Sequence, residues 1–94
     1  MQRVYAINIG MLPNKRRHPI KRRMCVKALL NTPGLLDFWE TKEHGTLLIF
    51  GTMPHAEKAR DAMRESGNWV GDEIYLVIQD VENRAYYIKD IVNK

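Results

Sequence analysis

Seven basic residues lie between Asn14 and Lys27 with no acid among them: Lys15, Arg16, Arg17, Lys21, Arg22, Arg23 and Lys27. The rest of the chain carries eight basic residues against all eleven acids, a net of −3 beneath the overall +4. This describes a mildly acidic body with one basic corner. Such a corner attracts polyanions: nucleic acid, an acidic protein face or anionic lipid. A solvated loop and helix face with no ligand is the plain alternative.

The other reactive side chains do not gather. His18, His44 and His55 stand apart, none at metal-ligand spacing from another His or from Cys25. Turn and cap positions account for all three. Cys25 falls on the apolar side of an expected helix, where a thiol serves as a small hydrophobe. Gly34, Gly45, Gly51, Gly67 and Gly71 each punctuate an element, so there is no glycine-rich phosphate loop. Glu40 and Glu43 flank a turn as solvent-facing carboxylates. Recognition is expected here, with no catalytic residue, metal or cofactor.

Ninety-four residues suffice for one domain, expected to span 1–94 with 81–94 as a tail. The single cysteine cannot form an internal disulfide, which points to a reducing compartment. No apolar run approaches the roughly 20 residues of a membrane span. The alternating amino terminus lacks the pattern of a secretory signal. A cytoplasmic protein that does not enter the membrane is expected.

The elements that would hold the basic corner follow from periodicity and punctuation. Arg3–Met11 reads as a strand rich in β-formers, ended by Gly10 and Pro13. A basic loop leads to Pro19, which suits the first turn of a helix running to about Leu30. Ile20, Met24 and Ala28, with Cys25 and Leu29, form its expected buried side, and Arg22, Arg23 and Lys27 occupy the opposite arc. Asn31-Thr32-Pro33-Gly34 ends it. Strands over Leu35–Thr41 and Thr46–Gly51 flank a turn at Lys42–Gly45. A second helix over Pro54–Ser66, capped by Thr52 and closed by Gly67, buries Ala56, Ala59, Ala62 and Met63. A fourth strand begins at Val70 or Asp72 and ends at Val81. In the tail, Ala85, Ile88, Ile91 and Val92 have helical spacing and predict a short helix, although Tyr86-Tyr87-Ile88 also suits a strand.

The order β-α-β-β-α-β with right-handed crossovers predicts an α+β, ferredoxin-like sandwich: a four-stranded antiparallel sheet with both helices on one face. A sheet with one wet face should alternate apolar and polar residues. This chain does not, since both parities of Thr46–Phe50 and Ile74–Ile78 are largely apolar. The face away from the helices is expected to carry Tyr5, Ile7, Leu48, Phe50, Tyr75 and Val77. A patch of that extent needs a cover. The candidates are the tail through Tyr86, Tyr87 or Ile88, a second copy forming a homodimer, or a partner.

The first strand, Val4-Tyr5-Ala6-Ile7-Asn8-Ile9, resembles the second ribonucleoprotein motif of RNA-recognition domains, with Ala6 undersized. The second helix, with Ala56, Ala59, Arg60, Ala62 and Met63, is also similar to that family's. The resemblance implies a sheet that stacks RNA bases, with Tyr5 as a stacking ring. In the family's other motif, here His44-Gly45-Thr46-Leu47-Leu48-Ile49-Phe50, Thr46 and Leu48 stand where stacking aromatics belong. Base stacking is worth about 1–3 kcal/mol per base, so those substitutions remove much of the implied affinity. The loop between first strand and first helix also lacks the glycine-rich, arginine-containing signature of acylphosphatases.

Two readings follow. In the first, the chain binds RNA or single-stranded DNA, with the seven cations on phosphates and Tyr5 against a base. In the second, it is a protein–protein module, such as a dimeric regulator or inhibitor that docks on an acidic or nucleic-acid-binding surface.

Overall fold

The computed structural model describes residues 1–93. Along the chain run β1 (Gln2–Asn8), α1 (Pro19–Leu29), β2 (Leu35–Glu40), β3 (Thr46–Phe50), α2 (Met53–Glu65), β4 (Ile74–Asp80) and β5 (Ala85–Asn93). The protein is α+β, with two helices and one antiparallel sheet in the order β2-β3-β1-β4-β5. The order of the first four strands is compatible with the expected one. The sheet, however, has five strands and not four, because the tail is β5. Its aromatic and branched residues extend along β4, and pairing with that free edge outweighs an isolated short helix.

Local chemistry sets the ends of these elements. β1 stops at Asn8, whose side-chain oxygen accepts the Gly10 N–H at 2.8 Å and folds the chain out of the sheet. Thr52 caps α2 by accepting the His55 N–H at 3.3 Å. Gly67, at φ +79°, closes that helix in the left-handed region, with the Asn68 N–H reaching the Met63 carbonyl at 3.0 Å.

One face of the sheet packs on α2. Ile7, Leu48, Phe50 and Ile74 meet Ala56, Ala59 and Val70 there, flanked by half-buried Tyr5, Phe38 and Met63. Four residues expected on the opposite face therefore lie under the helix: Tyr5, Ile7, Leu48 and Phe50. Only Tyr75 and Val77 lie on the far face, as expected. Register is the reason. Tyr5 pairs with Phe50 and Leu76, whereas Tyr75 pairs with Ala6, so the Tyr5 and Tyr75 side chains leave opposite faces. With both parities apolar, sequence pattern does not select the parity that faces the helices. Ala62 is exposed on α2, contrary to expectation, and Met63 is half-buried.

The far face carries no helix, yet Val4, Ala6, Leu47, Ile49 and Val77 are fully buried. Their cover comes from Trp39, Tyr75, Tyr86 and Ile88. Trp39 lies on β2 and Tyr86 on β5, the two outermost strands, but their ring centroids are 5.6 Å apart. The Tyr86 hydroxyl also donates to the Asp37 carboxylate at 2.8 Å. The sheet is thus coiled until its edges meet through side chains. No Cα of β2 comes within 8 Å of one in β5, so it does not close as a barrel. Irregular register between Leu35 and Asp37, and at two points along β4 and β5, marks bulges, which increase strand bending and twist. The tail does cover the face, through Tyr86 and Ile88, but as a strand.

α1 stands apart. None of its Cα atoms approaches another element within 8 Å, and none of its residues is buried. Its inner side is Arg22, Cys25, Val26 and Leu29, not the expected Ile20, Met24 and Ala28, which are exposed. Leu29 joins the core, while Arg22 anchors the other end of the helix.

Ala6 is the small residue of a crowded concave face, so Ala6→Leu overpacks it. Urea unfolding should show a loss of about 1–3 kcal/mol. Tyr86 gives a separate test at high pH. Burial first, and then the hydrogen bond to Asp37 and its charge, push the phenol from 10.0 up to about 12. Its contribution to stability is present below pH 10 and is lost as pH rises toward 12. Tyr86→Phe should flatten that part of the stability curve in denaturation measured across this window.

Candidate functional site

The basic corner is a wound loop that runs into α1. The Asn14 side-chain oxygen accepts the backbone N–H of Arg16 at 2.8 Å and of Arg17 at 3.2 Å. The Asn14 carbonyl accepts the His18 N–H, and the His18 carbonyl accepts that of Arg22, each at 2.9 Å. An asparagine that closes its own turn in this way leaves the intervening side chains pointing to solvent. Lys15, Arg16 and Arg17 are accordingly exposed. Pro19 opens α1, no side chain caps its first N–H groups, and its first turn holds no acid. The helix dipole therefore adds to the field of the cations.

Arg22 departs from the expected set of contacts. Its side chain is only 15% exposed and pairs with the Glu40 carboxylate at the end of β2. It also donates to the Pro13 carbonyl at 3.2 Å. This residue fastens the loop and α1 to the sheet edge, and its guanidinium is already engaged. Glu40, read from sequence as a solvated turn carboxylate, is its partner. The other six, Lys15, Arg16, Arg17, Lys21, Arg23 and Lys27, are exposed, and none forms an ion pair among the described residues. Arg23 and Lys27, one turn apart, join Lys15, Pro19, Arg22, Val26 and Leu30 around a shallow depression of about 520 Å³.

Tyr5 is not part of this corner. It is half-buried on the α2 face and packed against the core. Ile7, Leu48, Phe50 and Val77 are fully buried, and Tyr75 is half-buried, so the interface expected on those five residues is interior. The sheet presents no open stacking platform of the kind the RNA-recognition resemblance implies.

The remaining reactive groups are held separately. His55 Nδ1 lies 2.9 Å from the Thr52 hydroxyl, and the His44 ring lies 5.9 Å from that of Tyr75. Cys25 is half-buried in a cleft of about 450 Å³ beneath α1, lined also by Met11, Leu29, Met63 and Trp69. Among the described residues no three His, Cys, Asp or Glu side chains converge as metal ligands would. No helix among them is long and apolar enough to cross a membrane. Hydrogen bonds from the Asn83 side chain and backbone hold the Asp80 carboxyl below its usual range. This is a feature of the β4–β5 turn.

Two long-range contacts that hold the corner and the coiled sheet escaped sequence reasoning. The Arg22–Glu40 clamp joins residues 18 apart, and the Asp37–Tyr86 bond joins residues 49 apart. Neither leaves a local signal. The chain matches no known protein family, no curated protein and no solved structure.

Since Arg22 anchors the corner, Arg22→Met should release it without unfolding the sheet. Global stability should fall by no more than about 1 kcal/mol, the ordinary worth of a partly exposed ion pair. Amide exchange should accelerate across residues 14–29 and stay unchanged in β1 and β3, as read by hydrogen-exchange mass spectrometry.

Proposed function

We propose that this chain is a small cytoplasmic, non-catalytic module of ferredoxin-like βαββαβ plan with an added fifth strand. It binds RNA or single-stranded DNA by its phosphates. The observation that carries the reading is the exposure of Lys15, Arg16, Arg17, Lys21, Arg23 and Lys27 on one protruding loop-and-helix unit, with no ion pair to any of them among the described residues. A surface serving only solubility intersperses its charges with acids; here the nearby Glu40 is occupied by Arg22. The strand order β2-β3-β1-β4 supports the ferredoxin-like plan. Such contacts position a strand and do not read its sequence.

The exposed apolar side of α1 supports the second reading, a protein–protein module that pairs with itself or docks on a larger protein. Ile20 and Met24 of α1, and Leu30 just past its end, are 69%, 67% and 62% exposed beside the cations. The sheet no longer requires a second copy as its cover, so a homodimer would form through this helix. Light scattering of wild type and Met24→Glu separates the cases: a dimer lost in the variant supports pairing, and a monomer in both removes it.

Fluorescence anisotropy with a short labelled single strand tests the main reading. Affinity should fall with salt at a log–log slope of roughly −0.7 per phosphate engaged, reaching about −4 if all six cations take part. Replacing Arg16, Arg17, Arg23 and Lys27 with Glu should abolish binding and leave the circular dichroism spectrum intact, since none of the four is buried. Binding that survives this change would reduce the corner to solvated surface.

A further inference from the structure

The coiling of the sheet leaves a cleft where its edges meet. It holds about 470 Å³ and is lined by Trp39 of β2, Tyr86 and Ile88 of β5, and the hairpin residues Thr41 to His44. That volume lies within the usual range for small-molecule sites, about 300–1,000 Å³. Two aromatic pairs stand at it. Trp39 and Tyr86 form one, with ring planes tilted by 35°, and His44 forms the other with Tyr75 behind it. Trp39, Tyr86 and His44 line one open cleft, and an aromatic face exposed there can stack a planar ring, an interaction indifferent to which base provides it. The polar groups at the rim are Lys42, which is exposed, and Glu43, whose carboxylate lies 4.0 Å from His44 Nε2.

The position of the cleft ties it to the basic corner. Glu40 and Trp39 are neighbours on β2, and successive strand residues point to opposite faces. Glu40 receives Arg22 of α1 on one side of this edge strand, and Trp39 walls the cleft on the other. The loop after β1 and the β2–β3 hairpin leave the same end of the sheet, since the Thr46 N–H donates to the Gly10 carbonyl at 2.8 Å. A strand engaging both features would pass from α1 round the edge of β2, at the hairpin end of the sheet, to the aromatic rings.

We infer that the Trp39–Tyr86–His44 cleft is a base-stacking subsite for the nucleic acid strand whose phosphates rest on Lys15, Arg16, Arg17, Arg23 and Lys27. This inference rests on the phosphate-binding reading above and gives it a contribution from bases. It also places the stacking function on the mouth of the coiled sheet, away from Tyr5.

Trp39 reports on its own cleft once the other indole is removed. In a Trp69→Phe background, a short oligoadenylate should quench Trp39 emission. It should bind about tenfold more tightly than an abasic strand of equal length, the worth of one stacked base. His44→Ala should erase that difference and leave the salt slope unchanged. The hairpin itself is held by Thr41, whose hydroxyl accepts the His44 backbone N–H at 2.8 Å and donates to the Gly45 carbonyl at 2.7 Å, so the variant keeps its turn. Trp39→Phe should retain most of the base-dependent affinity, and Trp39→Leu should lose it. Equal binding of base-bearing and abasic strands with unchanged Trp39 emission overturns this inference and leaves the phosphate reading standing. Failure of both strands to bind at low salt overturns both.

Discussion

A doubly apolar sheet must keep both faces from water, and this chain has only one helix packed closely against it. α2 covers one face. The other is closed by the sheet itself, coiled until Trp39 and Tyr86 meet and the Tyr86 hydroxyl finds Asp37. Aromatic rings suit that task because they span the gap that the two edge backbones do not close. The polar tip of Tyr86 then fixes the approach by one hydrogen bond. Bulges at both edges supply the bending, and Ala6 keeps the middle of the concave face low.

That closure decides which surfaces remain for binding. The sheet offers no broad platform, and what stays exposed is its rim and α1. α1 gains its freedom from the same economy: α2, Val70 and the half-buried side chains around them fill the helix-side core with only Leu29 contributed by α1. The helix is left as a carrier of charge, attached through Arg22 at one end and Leu29 at the other. An arginine suits the first attachment, because its planar fork engages the Glu40 carboxylate and the Pro13 carbonyl together.

Much of the fold was legible along the chain. Pro19, Thr52, Pro54 and Gly67 marked the helix ends by chemistry confined to a few residues, and the boundaries agree with expectation to within a residue or two. The basic cluster was equally plain, since seven cations without an acid over 14 positions need no tertiary information to be seen. The assignment of sheet faces was not legible. Alternation carries that information, and β3 and β4 are apolar on both parities. The inner side of α1 was missed for a related reason: Ile20 and Met24 look like core residues by hydropathy, but the helix turns Arg22, Cys25, Val26 and Leu29 inward and leaves those two exposed. The tail failed on its own ambiguity, with apolar spacing that suits a helix and residue types that suit a strand.

What the sequence determined by itself was therefore whatever rests on contacts between near neighbours: the elements, their order and the clustering of positive charge. Tertiary structure alone decided which side of each strand faces α2, which arginine is consumed as an anchor, and how two edge strands come to share a roof of aromatic rings. These depend on register and on partners dozens of residues away. The free energy of such pairings belongs to the folded arrangement, and no local run of residues carries it.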